Sequence, residues 1–144
     1  MQTGEILGVH HVKIPVSDLV RSRTWYERVF DLEPLMEFRD DHDGVVRGVS
    51  YRSKGDLAIA LRENPAAAGG FAGFDFFAMM LRGRADIDHW ANRLDDLGVV
   101  HSEIVEAPIG CIMMFDDPDG IQLRFYTLNE QGLDPEGRAR GERS

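Results

Sequence analysis

The chain has 144 residues, enough for one ordinary domain that buries a core without disulfides or metal. Its 43% hydrophobic and 28% charged content is that of a soluble globular protein, and 16 basic against 25 acidic side chains leave a net charge of −9. That balance argues against general affinity for nucleic acid or acidic membrane surfaces and leaves a small molecule or a protein as the expected partner. A single cysteine, Cys111, cannot close an internal disulfide, no stretch approaches a membrane span, and the start lacks a basic flank followed by an apolar run, so a cytoplasmic protein is expected.

In chain order, His11–Val16 reads as a strand and Asp18–Leu32 as a helix opened by Ser17 or Asp18, with Leu19, Tyr26, Val29 and Phe30 near one face. Three short strands follow, about Leu35–Asp40, Val45–Arg52 and Asp56–Arg62, the last two joined by the turn Ser53-Lys54-Gly55-Asp56. A Gly/Ala-rich connector runs from Asn64 to Gly73. The series then recurs. Strand Phe76–Leu81 precedes helix Ala85–Leu97, which carries Ile87, Trp90, Ala91, Leu94 and Leu97 at helical spacing and stops at Gly98. Strands Ser102–Glu106, Cys111–Asp116 and Ile121–Thr127 complete it, with Asp117-Pro118-Asp119-Gly120 as the final turn.

His11 and Phe76, Trp25 and Trp90, Leu32 and Leu97, and Gly55 and Gly120 are each 65 residues apart, which argues for one unit used twice. The expected fold is α+β: two βαβββ modules, about 8–62 and 74–127, whose curved mixed sheets enclose a cup within a single domain, 1–128. Residues 129–144 have no apolar period and are expected to be disordered.

Period-two alternation assigns the faces. Val12, Ile14 and Val16 form the helix side of the first strand, leaving His11, Lys13 and Pro15 on the cup side; Leu123 and Phe125 likewise leave Gln122, Arg124 and Tyr126 facing the cup. Through the offset of 65, Phe76, Ala78 and Met80 join His11, and so do Leu57, Ile59 and Leu61. Met113 and Cys111 read as core, Met114 and Ile112 as cup lining. His10 falls on the helix side; His42, His89 and His101 are expected to be solvated, as is the acidic loop around Asp40–Gly44.

The run His11-Val12-Lys13-Ile14-Pro15-Val16-Ser17-Asp18-Leu19 with Trp25-Tyr26, and the run Phe115-Asp116-Asp117-Pro118-Asp119-Gly120-Ile121-Gln122-Leu123, resemble the opening and closing patterns of the vicinal oxygen chelate superfamily of glyoxalases, bleomycin-resistance proteins and extradiol dioxygenases. The resemblance covers about residues 8–127 and implies the cupped fold, a small-molecule ligand and a homodimer. In metal-dependent members the ligands stand mid-strand on the first, fourth, fifth and eighth strands. Those positions are His11, Ile59, Phe76 and Arg124 here, and only His11 can bind a metal; a guanidinium has no lone pair to offer and repels the ion.

Two readings follow. In the first, the chain binds a small organic anion without a typical metal centre, for sequestration or metal-free catalysis, using His11, Lys13, Ile59, Phe76, Met114, Arg124 and Tyr126, with no cofactor. His11 is then the best candidate for a catalytic group. The alternative is a metal-dependent lyase, isomerase or ring-cleaving dioxygenase using His11 and a divalent metal. Arg124 either meets the anion or neutralises an internal carboxylate, Glu37 or Glu103, and Arg47 joins the cup if its strand keeps the offset.

Overall fold

A computed structural model of the chain describes residues 4–108 and 110–128, which divide into two compact units with the boundary after Pro65. The first contains β1 (Val12–Val16), α1 (Leu19–Phe30), β2 (Pro34–Arg39), β3 (Val46–Tyr51) and β4 (Ile59–Glu63), in a four-stranded sheet ordered β1-β4-β3-β2. The second opens with α2 (Pro65–Phe71), which straddles the boundary, and continues with β5 (Ala78–Leu81), α3 (Arg84–Asp96), β6 (Val105–Ala107), β7 (Gly110–Asp116) and β8 (Gln122–Thr127), its sheet ordered β5-β8-β7-β6. In each sheet the first two strands in that order run parallel and the other neighbours antiparallel. The α+β expectation of two mixed sheets with helices is met. Among the described residues no helix is long and apolar enough to cross a membrane. The tail expected to be disordered lies outside the described residues.

Each long helix is explained by its caps and its apolar stripe. Asp18 is the N-cap of α1, its Oδ1 accepting the Arg21 N–H at 3.1 Å, and Leu19, Tyr26, Val29 and Phe30 are buried where the helix meets β3 and β4. In α3, Ile87 and Leu94 are buried and Trp90 packs on Phe125 with ring centroids 4.7 Å apart. Gly98 follows at φ 72°, the left-handed stop expected of it. The Gly/Ala-rich connector contains α2. Proline at the first helical position and the run Ala66-Ala67-Ala68 favour a helix strongly enough to outweigh Gly69 and Gly70.

The largest departure concerns the phase of β4. The offset of 65 relates the opening strand and helix of the two units, but Ser50 pairs with Ala60 where Met114 pairs with Arg124, so the last two strands are related by an offset of 64. The hairpin loop between Arg39 and Val46 is long and that between Ala107 and Gly110 short, and the lengths before β3 and β7 differ by a net single residue. One residue turns every side chain to the other face. Ile59 and Leu61, expected on the cup side, therefore pair with Val12 and Ile14 and are buried under the helix, 3% and 2% exposed. Ala60 and Arg62 take the face of Lys13 and Pro15 instead. The Gly55–Gly120 match lies in turns of different length: Lys54 and Leu57 bracket two residues, Asp117 and Ile121 three.

The same slip moves Arg47 to the helix face of Val49 and Tyr51. There it bonds Glu63 Oε1 at 2.6 Å and Asp43 Oδ2 at 2.8 Å, and lies 3.4 Å from Asp40 Oδ2. Two histidines also differ from expectation. His10 precedes β1 and is exposed rather than packed under the helix, because the strand begins only at Val12. The His101 side chain is 15% exposed rather than solvated; its Nε2 meets Asp95 Oδ1 at 2.8 Å and its Nδ1 meets the Ser102 carbonyl at 2.7 Å.

Candidate functional site

The sheet of the first unit has one face under α1 and one open face, and the open face is concave. Cross-strand register sets its side chains in rows: Met36, Ser50, Ala60 and Lys13 in one, Phe38, Gly48, Arg62 and Pro15 in the next. His11 and Ala58 continue the same face beyond Lys13 and Ala60. These groups border a cavity of about 940 Å³, at the upper end of the range of about 300–1,000 Å³ for small-molecule sites. Its floor is made of small residues, its rims of Met36 and Phe38 on β2 and of His11 and Lys13 on the β1 side. Ile59 also borders the cavity, although its own side chain is buried under the helix.

The charge of this cavity runs against that of the chain. His10, His11, Lys13, Arg52 and Arg62 border it, and among the described residues no carboxylate does. Arg52 is paired with Glu33 at 3.1 Å. Among the described residues neither Lys13 nor Arg62 forms an ion pair, so two cations face the cavity without internal counter-charge. The Arg62 stem leans over Gly48, whose hypothetical Cβ would meet Arg62 Cδ at 3.6 Å. The rings of His10 and His11 approach through their Nδ1 atoms at 2.9 Å. One must donate and the other accept, so the contact requires at least one neutral imidazole.

The open face of the second unit carries Ala78, Met114, Gln122, Arg124 and Tyr126, as the alternation predicts, with Met79, Met113, Leu123 and Phe125 buried on the other side. Phe76 precedes β5, which begins only at Ala78, and its ring lies against Phe71 and Phe77 with centroids 4.9 and 5.0 Å away. Arg124 is held from several directions. Its Nε lies 3.0 Å from Asp75 Oδ2 and donates to Gln122 Oε1 at 3.0 Å; Nη2 donates to the same oxygen at 2.8 Å and Nη1 to the Tyr126 hydroxyl at 3.3 Å. The counter-charge is thus Asp75, not Glu37 or Glu103; Glu37 pairs with Arg23 at 2.7 Å. Asp75 escaped the sequence reading because it precedes β5, outside any strand. Gln122 carried a usable signal, standing two residues before Arg124 on the same strand face.

The donors present do not fit a divalent metal of the kind the resemblance implies. His11 is turned to His10, an apolar ring stands at Phe76, and Arg124 is a permanent cation already bonded to a carboxylate and an amide. With the corrected register, the mid-strand position of β4 facing Lys13 is Ala60, which has no donor either. Among the described residues no three His, Cys, Asp or Glu side chains gather into a group that could hold a metal ion.

Comparison with known proteins agrees with the fold and bears on the chemistry. The chain is 26% identical over 129 residues to the metallothiol transferase FosB of Bacillus licheniformis, covering 88% of this chain and 79% of that one. A glyoxylase/bleomycin resistance protein/dioxygenase domain from Frankia sp. EAN1pec superposes with a TM-score of 0.69 at 27% identity, covering 88% of this chain and 95% of that one. TnmS3, an antibiotic binding protein from Streptomyces sp. CB03234, superposes with a TM-score of 0.67 at 23% identity, covering 88% of this chain and all (100%) of that one, a likeness of fold alone. The sequence model of the Glyoxalase/Bleomycin resistance protein/Dioxygenase superfamily matches residues 8–125, and with two βαβββ units in place the chain belongs to that superfamily.

Proposed function

We propose that this protein binds a small organic anion on the concave face of its first unit, without a metal centre of the usual superfamily kind. The observation that carries the reading is the pair of cations, Lys13 and Arg62, which among the described residues have no ion-pair partner and stand beside a cavity that no described carboxylate borders, in a chain of net charge −9. An acid group there would find two charge-assisted donors and no acidic competitor. His11 is the candidate acid–base group if the bound molecule is turned over; sequestration needs no such group. The antibiotic-binding role named for TnmS3 supports a binding reading. We assign Phe76, Met114, Arg124 and Tyr126 to a second ligand-contact face, on which Arg124 keeps one proton on each of Nη1 and Nη2 for an acceptor beyond its partners.

A second reading, a metal-dependent enzyme using His11, is supported by the likeness to a metallothiol transferase. One titration series separates the two. Small organic acids measured calorimetrically are expected to bind the chelator-treated protein, and Lys13→Ala and Arg62→Ala are each expected to weaken them about tenfold, near 1.4 kcal/mol. Acids that bind all three proteins equally would remove the cations from the reading. Binding that returns only with one added metal and is lost in His11→Ala would establish the metal-dependent alternative.

A further inference from the structure

We infer that the trough of the first unit selects flat aromatic acids over saturated ones of the same size and charge. The inference rests on the anion-binding reading above and adds shape to charge. Its starting point is the floor: Gly48 and Ser50 on β3, with Ala60 on β4 and Ala58 just before it, and none projects more than a single heavy atom beyond Cβ. Neighbouring strands lie about 4.8 Å apart, so the rims on β2 and β1 are separated by three spacings, roughly 14 Å. Between them lies a shallow bed over Ser50, Ala58 and Ala60, closed at the Gly48 end by the Arg62 stem that leans over it.

The rims are chemically matched to ring edges and faces. Met36 is 55% exposed and Phe38 45%, and both project from the same face as the floor. A thioether and a phenyl edge are favourable neighbours of an aromatic ring. On the opposite side, Lys13 and the imidazole of His11 offer a cation and a second ring, and Arg62 leans across Gly48 with its guanidinium free of ion pairs among the described residues. A cation over a π-face is attracted where the same cation over a cyclohexane is not. A puckered ring would also stand off a flat floor and lose contact over most of its area, since close contact decays within an ångström. The cavity, about 940 Å³, has room for a fused two- or three-ring acid.

The test uses the full chain and a matched pair of probes, 2-naphthoate and its perhydro analogue, decahydronaphthalene-2-carboxylate, titrated by calorimetry. We expect the naphthoate to bind at least tenfold more tightly. Raising the floor with Ser50→Ile, or with Ala60→Leu, should remove that preference by weakening the naphthoate at least tenfold, with thermal melting confirming that the variant tested is folded. Equal affinity for the two acids overturns the inference while leaving the anion-binding reading in place. Failure of every acid to bind overturns both. Naphthoate affinity that falls as protein concentration rises would show a second copy of the chain filling the trough, and that result also overturns it.

Discussion

The helix-facing side of each sheet can be compared position by position, and the two units fill equivalent places with different chemistry. In the first, Tyr51 donates its hydroxyl to Glu27 at 3.1 Å, Glu27 pairs with Arg23 at 2.9 Å, and Arg23 reaches Glu37 at 2.7 Å. Nearby, Glu63 accepts the Leu19 N–H at 3.0 Å and the Arg47 guanidinium at 2.6 Å. The equivalents of Tyr51, Arg47 and Glu63 in the second unit are Phe115, Cys111 and Thr127. There Phe115 and Phe125 pack with centroids 5.6 Å apart, Trp90 lies on Phe125, and the Thr127 hydroxyl accepts the Cys111 N–H at 2.8 Å. Both helices bury an apolar stripe, and at these equivalent sheet positions the first unit adds paired charges where the second adds aromatic packing and one neutral hydrogen bond. The open sides are reversed: among the described residues the first leaves Lys13 and Arg62 without acids, while the second sets Asp75 against Arg124. A repeated unit conserves shape, and the placement of a few carboxylates distinguishes the charge of its two open faces, the contrast on which the proposed anion site rests.

Glu63 offers the largest test of that contrast. Glu63→Ala strands the Leu19 N–H at the start of α1 and removes one partner of Arg47, and leaving a half-buried donor unsatisfied costs about 1–3 kcal/mol. Denaturant unfolding is expected to show a loss of about 2 kcal/mol. Thr127→Ala, at the equivalent place, likewise strands a half-buried N–H, that of Cys111, but breaks no charged contact, and should lose less, about 1 kcal/mol. Equal losses would mean that the charged fastening of α1 contributes nothing beyond its neutral counterpart.

Tyr51 sharpens the same contrast, because its equivalent is already phenylalanine. Tyr51→Phe is expected to cost about 1 kcal/mol at neutral pH, the ordinary worth of one hydrogen bond. The pH dependence carries a sign. Burial, reinforced by the negative charge and hydrogen bond of Glu27, holds the Tyr51 hydroxyl well above its ordinary pKa of about 10. The folded state therefore keeps a proton that the unfolded state releases, so this contribution is complete below about pH 10 and is lost as the pH rises above it. Melting curves between pH 8 and 11 should fall more steeply for the wild type than for Tyr51→Phe. Parallel slopes would show that Tyr51 ionises as readily in the folded protein as in the unfolded chain.

How far the sequence could carry this picture depends on which signals are local. The doubled unit, both long helices, the Asp18 cap and the Gly98 stop are written in short-range patterns, and so are the faces of β1, β5, β7 and β8. The phase of β4 was not legible, because it depends on the summed lengths of the preceding loops and a single-residue error inverts it; Ile59 and Arg62 exchanged roles on that account. Arg124 was placed on the correct face, but its partner was not found, since Asp75 lies in a segment without periodicity. Lys13 was assigned to the open face from alternation alone. Arg62, its companion, became visible only with the register.

Ser22 gives the smallest effect and the most direct comparison of the two helix interfaces. It is fully buried on α1 with its hydroxyl lacking a hydrogen-bond partner among the described residues, and its equivalent on α3 is Ile87, equally buried. A helical serine can usually return its hydroxyl to the carbonyl four residues earlier. Here that carbonyl, Asp18, is occupied by the Ser22 N–H at 3.0 Å and no second bond from the hydroxyl is formed. Burying an unbonded hydroxyl opposes folding by about 1–3 kcal/mol, and alanine is the better helix former by a few tenths of a kcal/mol. Against this stands the loss of one oxygen's packing contacts. The balance favours alanine, and Ser22→Ala is expected to raise stability by about 0.5–1 kcal/mol, near 2–4 °C in Tm for a chain of this size. A drop in Tm instead would show that the hydroxyl is bonded in solution, and that the polar wiring beneath α1 extends to Ser22 as well as to Tyr51 and Glu63.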